Sequence, residues 1–440
     1  MAYICAKRMG VTGFWRHVVG RAGAKEDTDG TGSASQYLSD VAEWLGKAEG
    51  DKATVAVDVS LILYNAVKTL EAARQLDVVP KIPVTAALKH LQRCHDLLVK
   101  NGIVPVYVFD GARNPYKGDT NAAREAGRKA AEEKLRSLVK QCRTQDAAAV
   151  DKLRKETAYP REDVLEAAKE YYRGVGAIVV CAAFEAEWQC VALERYGLVD
   201  AVYSEDGDII VSGANNIMSL VNWTNDLGRC CLYKREEIMS STSGGGGKWN
   251  NNYPELLVFC GNDYTKRLFA KKESKKRMTM PQVKTMIGGF VDAEDTDLWL
   301  ERADSTYYWP NETDPTGDKV PAIGFGVKCK EIVFMIRHAP VFMPVAAGDG
   351  PVDLTDPSSY TCKLVPLNDL PAGVEEGQWG AKMGWPSHPA DLIGADANII
   401  TRDRYAEAFR LEVWPRTGQP LTKIELPTLP FPPHYQVGHC

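Results

Sequence analysis

Seven acidic residues of this chain, Asp58, Asp110, Glu185, Glu187, Asp206, Asp208 and Asp263, each follow closely on an apolar run. Val55-Ala56-Val57 leads into Asp58, and Val106-Tyr107-Val108-Phe109 leads into Asp110. Ala177-Ile178-Val179-Val180 precedes Phe184-Glu185-Ala186-Glu187, and Ala201-Val202-Tyr203-Ser204-Glu205 precedes Asp206 and Asp208. Leu256-Leu257-Val258-Phe259-Cys260 reaches Asp263 through Gly261-Asn262. In a mostly parallel sheet the carboxyl ends of the strands share one edge, and ligands bind there. Five segments would thus deliver these acids to one place, where so much like charge cannot stay ionised without cations. The pattern predicts a divalent-metal site.

The elements that must position these residues read as α/β, with a mostly parallel central sheet flanked by helices. Residues 51–113 read as strand, helix, strand, with Leu88, Leu91, His95 and Leu98 at helical spacing inside Ala86 to Lys100. From Asn121 to Arg173, Ala, Lys, Arg and Glu dominate, which predicts two long helices broken near Tyr159-Pro160. Strand and helix alternate again from Ala177 to Met218. Ser241 to Asn252, with Gly244 to Gly247, reads as a loop with no core potential. Tyr264 to Arg277 is strongly basic, Asp292 to Lys319 is acidic and turn-rich, and Ile323 to His338 reads as a helix after a Gly-x-Gly turn. From Pro340 onward proline is dense and periodicity is lost, which predicts an irregular C-terminal extension.

The chain's 440 residues have room for two domains or one elaborated domain, and 45% hydrophobic with 25% charged residues is the balance of an ordinary globular protein. A net charge of −5 argues against wholesale electrostatic binding of nucleic acid, although a sum hides patches. Eleven scattered cysteines without C-x-x-C pairs suit a reduced, intracellular thiol population. No apolar run approaches the roughly 20 residues of a membrane span, so no membrane partner is expected. Lys7, Arg8, Arg16, Arg21 and Lys25 stand in the first 25 residues with no acid among them, a composition also seen in organelle-targeting peptides.

The segment Asn101-Gly102-Ile103-Val104-Pro105-Val106-Tyr107-Val108-Phe109-Asp110-Gly111 resembles the signature of the flap endonuclease / XPG nucleases. So do Phe184-Glu185-Ala186-Glu187-Trp188-Gln189-Cys190, Ser204-Glu205-Asp206-Gly207-Asp208 and Gly261-Asn262-Asp263-Tyr264, while Met9-Gly10-Val11-Thr12-Gly13-Phe14-Trp15 resembles the opening of those enzymes. The likeness implies a PIN-like nuclease core, residues 1–339, with a helical arch at about 113–173 and a modified duplex-binding region at about 264–339, followed by a Pro-rich extension, 340–440. It implies hydrolysis of phosphodiesters at flaps, junctions or 5′ ends of DNA with two Mg²⁺ or Mn²⁺ ions. On this likeness Asp58, Asp110, Glu185 and Glu187 hold one ion, and Asp206, Asp208 and Asp263 hold the other, with Glu187 near the bridge. Carboxylates suit Mg²⁺, which wants hard oxygen ligands and keeps water; one ion activates the attacking water and the other stabilises the departing oxygen.

The same likeness assigns cations and contacts. Lys117 and Arg124 match basic residues at the base of the arch that meet the scissile phosphate, and with Asp208 they are the residues on which catalysis should depend. Arg128 matches a further arch arginine, and Lys129, Lys134, Arg136, Lys140 and Arg143 could line the passage that the family's arch gives to a single strand, although they alternate with Glu132 and Glu133 as on a solvated helix face. Tyr64 matches an aromatic that stacks on a base, and a core tyrosine fits the same spacing. The family's duplex-gripping helix–turn–helix is displaced here: its remnant would be Gly324 and Gly326, about sixty residues after Asp263. Lys266, Arg267, Lys271 and Lys272 are offered as replacement phosphate contacts. Gly10, which in the family directly follows the initiator Met near the substrate, is here preceded by eight residues and Met9. No sliding-clamp motif is recognisable. The family implies a nuclear home. Two alternatives to the DNA nuclease stand beside it: an RNA-directed nuclease with the same chemistry, and a silent nuclease-like scaffold for partner proteins.

Overall fold

The computed structural model describes residues 36–73, 84–111, 114–140, 147–204, 206–220, 228–237, 258, 261–265, 268–269, 307–313, 319–321, 323–354 and 359–368. Strands β1 (Gln36–Tyr37), β2 (Ala53–Asp58), β3 (Ile103–Phe109), β4 (Ile178–Cys181), β5 (Ala201–Tyr203), β6 (Asn216–Leu220) and β7 (Arg229–Lys234) form one sheet in the order β1-β7-β6-β5-β2-β3-β4. β6, β5, β2, β3 and β4 run parallel, and β7 and β1 add antiparallel at one edge. The registers Asp58↔Val108, Val57↔Tyr203 and Phe109↔Cys181 bring the ends of four parallel strands level along one edge.

Alternation along the central strands builds two cores. Ala56, Val106, Val108, Val180, Val202 and Ile217 face one way, and Val55, Val57, Tyr107, Phe109, Val179 and Tyr203 the other. The helices are α1 (Val41–Trp44), α2 (Val59–Ala73), α3 (Val84–Lys100), α4 (Gly118–Lys140), α5 (Ala147–Thr157), α6 (Glu162–Gly174), α7 (Ala186–Arg195), α8 (Asp208–Ser212) and α9 (Phe325–Arg337). α7, α8 and α9 cover the first face, while α2, α3 and α6 cover the second. α7 is the central helix: its residues Ala186 to Glu194 are all buried. Near its end, Glu194 accepts the backbone N–H groups of Asn215 (2.8 Å) and Asn216 (2.7 Å), fastening the loop between α8 and β6.

Four details differ from the pattern of the sequence. Residues 51–113 hold two helices between β2 and β3 rather than one: α2, in which Leu61, Ile62 and Leu63 are buried in succession, precedes α3. The stretch from Asn121 to Arg173 holds three helices, α4, α5 and α6; the break at 158–161 falls at Tyr159-Pro160, and the earlier one carries no Gly or Pro to mark it. Val258, the described residue of the fifth apolar run, is helical rather than extended. Within the Pro-rich extension, β10 (Pro340–Ala346) and β11 (Tyr360–Pro366) form a regular antiparallel hairpin, with Val341 and Phe342 in the core. Gln189 of α7 secures it: the side-chain amide donates to Phe342 O and accepts from Phe342 N, both at 2.8 Å. A smaller ribbon pairs β8 (Tyr308–Thr313) with β9 (Lys319–Pro321). The loop 241–252 and the basic run beyond Phe269 lie outside the described residues.

Candidate metal centre

Three of the acids also start helices. Asp58 ends β2 and its Oδ1 accepts the Ser60 N–H (2.9 Å), capping α2. Asp110 follows β3 and reaches sideways, its Oδ1 accepting the Ala186 N–H at the start of α7 (2.8 Å) and its Oδ2 accepting the Ser60 hydroxyl (2.5 Å). Asp206 Oδ1 accepts the Asp208 N–H (2.9 Å), closing the turn into α8. Glu185 and Glu187 flank the first residue of α7. Asp263 arrives differently, from a tight turn in which Asn262 Oδ1 accepts the N–H groups of Tyr264 and Thr265, each at 2.9 Å.

Backbone approaches around Asp110 are close. Gly111 donates to Phe184 O (2.7 Å), and a Cβ at Gly111 would lie 1.9 Å from Ala182 O and 2.6 Å from Ala183 O. Both are main-chain atoms that cannot turn away. Gly111→Ala is therefore expected to cost about 1–3 kcal/mol or more and to push Asp110 off its place. A lower melting temperature together with slower cleavage would bear this out, whereas an alanine variant matching the parent in both would refute the close packing.

The acids form one electrostatic neighbourhood. Burial first, then the charges of Asp110, Asp206 and Glu185, raise the Asp58 carboxyl well above the usual range. Glu187 is raised well above by burial, with Asp206, Asp208 and Glu185 adding and Lys117 opposing. Asp208 is likewise raised by burial, then by Asp206 and Asp263. Asp206 is raised to about 6 by burial and Asp263, and Glu185 is raised by burial against the opposing pull of Lys117. Two buried oxygens, Glu187 Oε1 and Asp208 Oδ1, have no hydrogen-bond partner.

Two cations sit against these acids. Lys117 Nζ lies 2.7 Å from Glu185 Oε2 and 3.6 Å from Asp263 Oδ2, and 5.2 Å from the Tyr264 ring centroid. Burial lowers the Lys117 pKa, but Glu185, Tyr264, Glu187 and Asp263 outweigh it, so the ammonium is held charged. Arg124 Nη2 lies 2.6 Å from Asp263 Oδ1. Among the described residues no three acid, His or Cys side chains converge into a ready-made ion cage. The Lys117 ammonium occupies the position of counter-ion between Glu185 and Asp263, and a Mg²⁺ that keeps its waters needs few direct ligands. The donor set, hard oxygens with two of them buried and orphaned, is of the chemistry that Mg²⁺ or Mn²⁺ takes.

The other sequence-derived candidates scatter. Tyr64 is half-buried on α2, with the Lys68 ammonium 5.7 Å from its ring centroid. Arg128 stacks on Tyr159 instead of joining the acids. Gly324 supplies a left-handed turn (φ 82°) before α9, and Gly326 lies inside that helix rather than in the turn. Gly10, Lys266, Arg267, Lys271 and Lys272 lie outside the described residues. Residues not singled out in advance complete the site: Tyr264, whose hydroxyl accepts from Asn114 Nδ2 (3.3 Å); Asn114 itself; Ser60; and Thr120, whose hydroxyl donates to Asp263 O (2.6 Å). Only Asn114, an Asx residue before Pro115, carried a turn signal.

The raised carboxyls set a pH dependence. A group with a folded pKa above its unfolded value binds more protons when folded, so stability is lost as pH rises through that window. For Asp206 the window runs from about 4, the unfolded value, to about 6. In EDTA the melting temperature is therefore expected to be higher at pH 5 than at pH 8, with Mg²⁺ narrowing the gap. A melting temperature in EDTA that climbs from pH 5 to pH 8 would contradict the clustering.

No helix among the described residues is long and apolar enough to cross a membrane. The chain matches the XPG N-terminal domain over residues 33–131 and the XPG I-region over 176–248. It is 32% identical over 171 residues to Flap endonuclease 1 of Drosophila grimshawi, covering 39% of this chain and 43% of that one. It is 31% identical over 215 residues to Flap endonuclease 1 of Babesia bovis, covering 48% and 30%. The chain thus spans less than half the length of these two relatives. A solved structure, the catalytic core of Rad2 in complex with DNA substrate, is similar at TM-score 0.45 and 21% identity over 66% of this chain and 72% of that one, too loose a likeness to bear on function.

Proposed function

Since the chain belongs to the flap endonuclease / XPG family of nucleases, we propose that it is a metal-dependent, structure-selective 5′ nuclease acting at flaps, junctions or 5′ ends of DNA. The observation that carries this reading is the electrostatic neighbourhood that seven acids from five chain segments share, with Glu187 Oε1 and Asp208 Oδ1 buried and unpartnered. Asp58, Asp110, Glu185 and Glu187 would hold one ion and Asp206, Asp208 and Asp263 the other. Glu187, which feels the charge of Glu185 as well as of Asp206 and Asp208, would stand near the bridge between the two ions. Bound divalent ions supply an activated water and stabilise the leaving oxygen.

The chain's own cations do the rest. Lys117 and Arg124 exchange Glu185 and Asp263 for the scissile phosphate and offset the charge that develops on it. Phosphate contacts of this kind orient the strand without reading its sequence, so selectivity rests on shape. The proposed workplace is the nucleus, on the family's pattern.

Matched DNA and RNA flaps, a gapped duplex and a four-way junction, each labelled at the 5′ end, test the reading in Mg²⁺, Mn²⁺ and EDTA. Cleavage of the DNA flap near its single-strand/double-strand border, lost in EDTA, is the expected result. Faster cleavage of the RNA flap would shift the substrate class. No cleavage of any substrate, with a protein partner bound, would favour the scaffold.

A further inference from the structure

We propose that Tyr159 and Arg128 form a subsite for one nucleotide of the single strand, with its base on the Tyr159 ring and its phosphate on the Arg128 guanidinium; this rests on the nuclease reading above. Tyr159 stands in the joint between α5 and α6 and is 52% exposed. Arg128 Cζ lies 4.4 Å from the centroid of that ring. Arg128 is one turn, ~6 Å along α4, from Arg124, whose guanidinium meets Asp263 at the acids.

Several cations near Arg128 on and beside these helices are matched with carboxylates. Lys129 pairs with Glu125, Arg136 with Glu132, Lys155 with Asp151, and Arg161 with Asp163. Arg128 is matched with an aromatic face instead. A guanidinium stacked on a ring keeps its planar fork of N–H donors for a phosphate, whereas a carboxylate partner would occupy it. The ring in turn offers a surface that any base can stack on.

The platform is anchored. Ala158 is buried against Val67 of α2, and the ring of Pro160 disfavours helical backbone at Tyr159, which lies outside both helices. Little conformational entropy is therefore lost when a base lands on the ring. The same α2 carries Tyr64, one turn before Val67.

Steady-state cleavage in Mg²⁺ of two flaps, one with ordinary bases and one abasic through the flap, tests the subsite. Tyr159→Ala is expected to raise KM for the base-bearing flap about 5- to 150-fold, the span of one lost base–aromatic stack, with kcat unchanged. KM for the abasic flap should not move. Tyr159→Phe should behave as the parent, and Arg128→Ala should weaken both flaps and flatten the salt dependence by about one phosphate. Equal losses on the two flaps with a lower melting temperature would reduce Tyr159 to a strut of the helix joint and overturn the proposal, as would parental kinetics for Tyr159→Ala. A parent that cuts neither flap would overturn the nuclease reading as well, so the two failures are distinct.

Discussion

Asp208→Asn is expected to abolish cleavage while leaving the fold intact. Losing an outer-shell partner of a metal site commonly costs 10- to 100-fold, and loss of a direct ligand should exceed that. Asp208 is 1% exposed at the start of α8, with Oδ1 lacking any partner and Asp206 and Asp263 close enough to raise its pKa. The substitution keeps the shape and removes one charge from a place that disfavours it. In EDTA at pH 8 the variant should melt no lower than the parent, and a small rise is expected. The raised folded pKa means that the ionised carboxylate is the destabilising form there. Cleavage at the parental rate would sink the metal assignment. A variant that unfolds in EDTA would show instead that the acid holds the fold.

Lys117→Ala should be as damaging, through the opposite charge. The ammonium lies 2.7 Å from Glu185 and 3.6 Å from Asp263, against the Tyr264 ring. It is the nearby cation that opposes the raised pKa of Glu187, Glu185 and Asp208 alike. Its loss leaves buried like charges without compensation, so in EDTA the melting temperature should fall at pH 8 and partly recover at pH 5, where the carboxyls protonate. The turnover rate in saturating Mg²⁺ should fall about 10²- to 10³-fold, the usual loss when one donor that stabilises the transition state is removed. Lys117→Arg keeps the charge but replaces a compact ammonium by a planar fork; it should restore stability more than rate. A rate unaffected by Lys117→Ala would remove this residue from the proposed chemistry.

The acids were readable in the sequence because a parallel sheet converts distance along the chain into adjacency at one edge. Each of Asp58, Asp110 and Asp206 stands at or just beyond the end of a short apolar run, and those runs are strands. The parts that escaped have physical causes. α2 opens on a run of buried residues, Leu61, Ile62 and Leu63, that obscures its period, and Asp263 is set by the Asn262 turn after a helical residue rather than by a strand. The hairpin of β10 and β11 was masked by Pro340, Pro344 and Pro366, which a two-stranded ribbon tolerates at its open sides. Ser60 and Thr120 carry no local signal, and the role of Tyr264, though it ends a family-like segment, arises only from contacts across the fold.

The grip of Gln189 on Phe342 has a practical bearing for anyone shortening the protein. Deleting everything past residue 339 looks like trimming a proline-rich tail. It would instead strip both partners from a fully buried amide, at about 1–3 kcal/mol for each group left unsatisfied. It would also lay bare the back of the helix whose first turn presents Glu187. The supposed dispensable end is thus part of the floor on which the clustered acids stand, and the lesion would be felt there first.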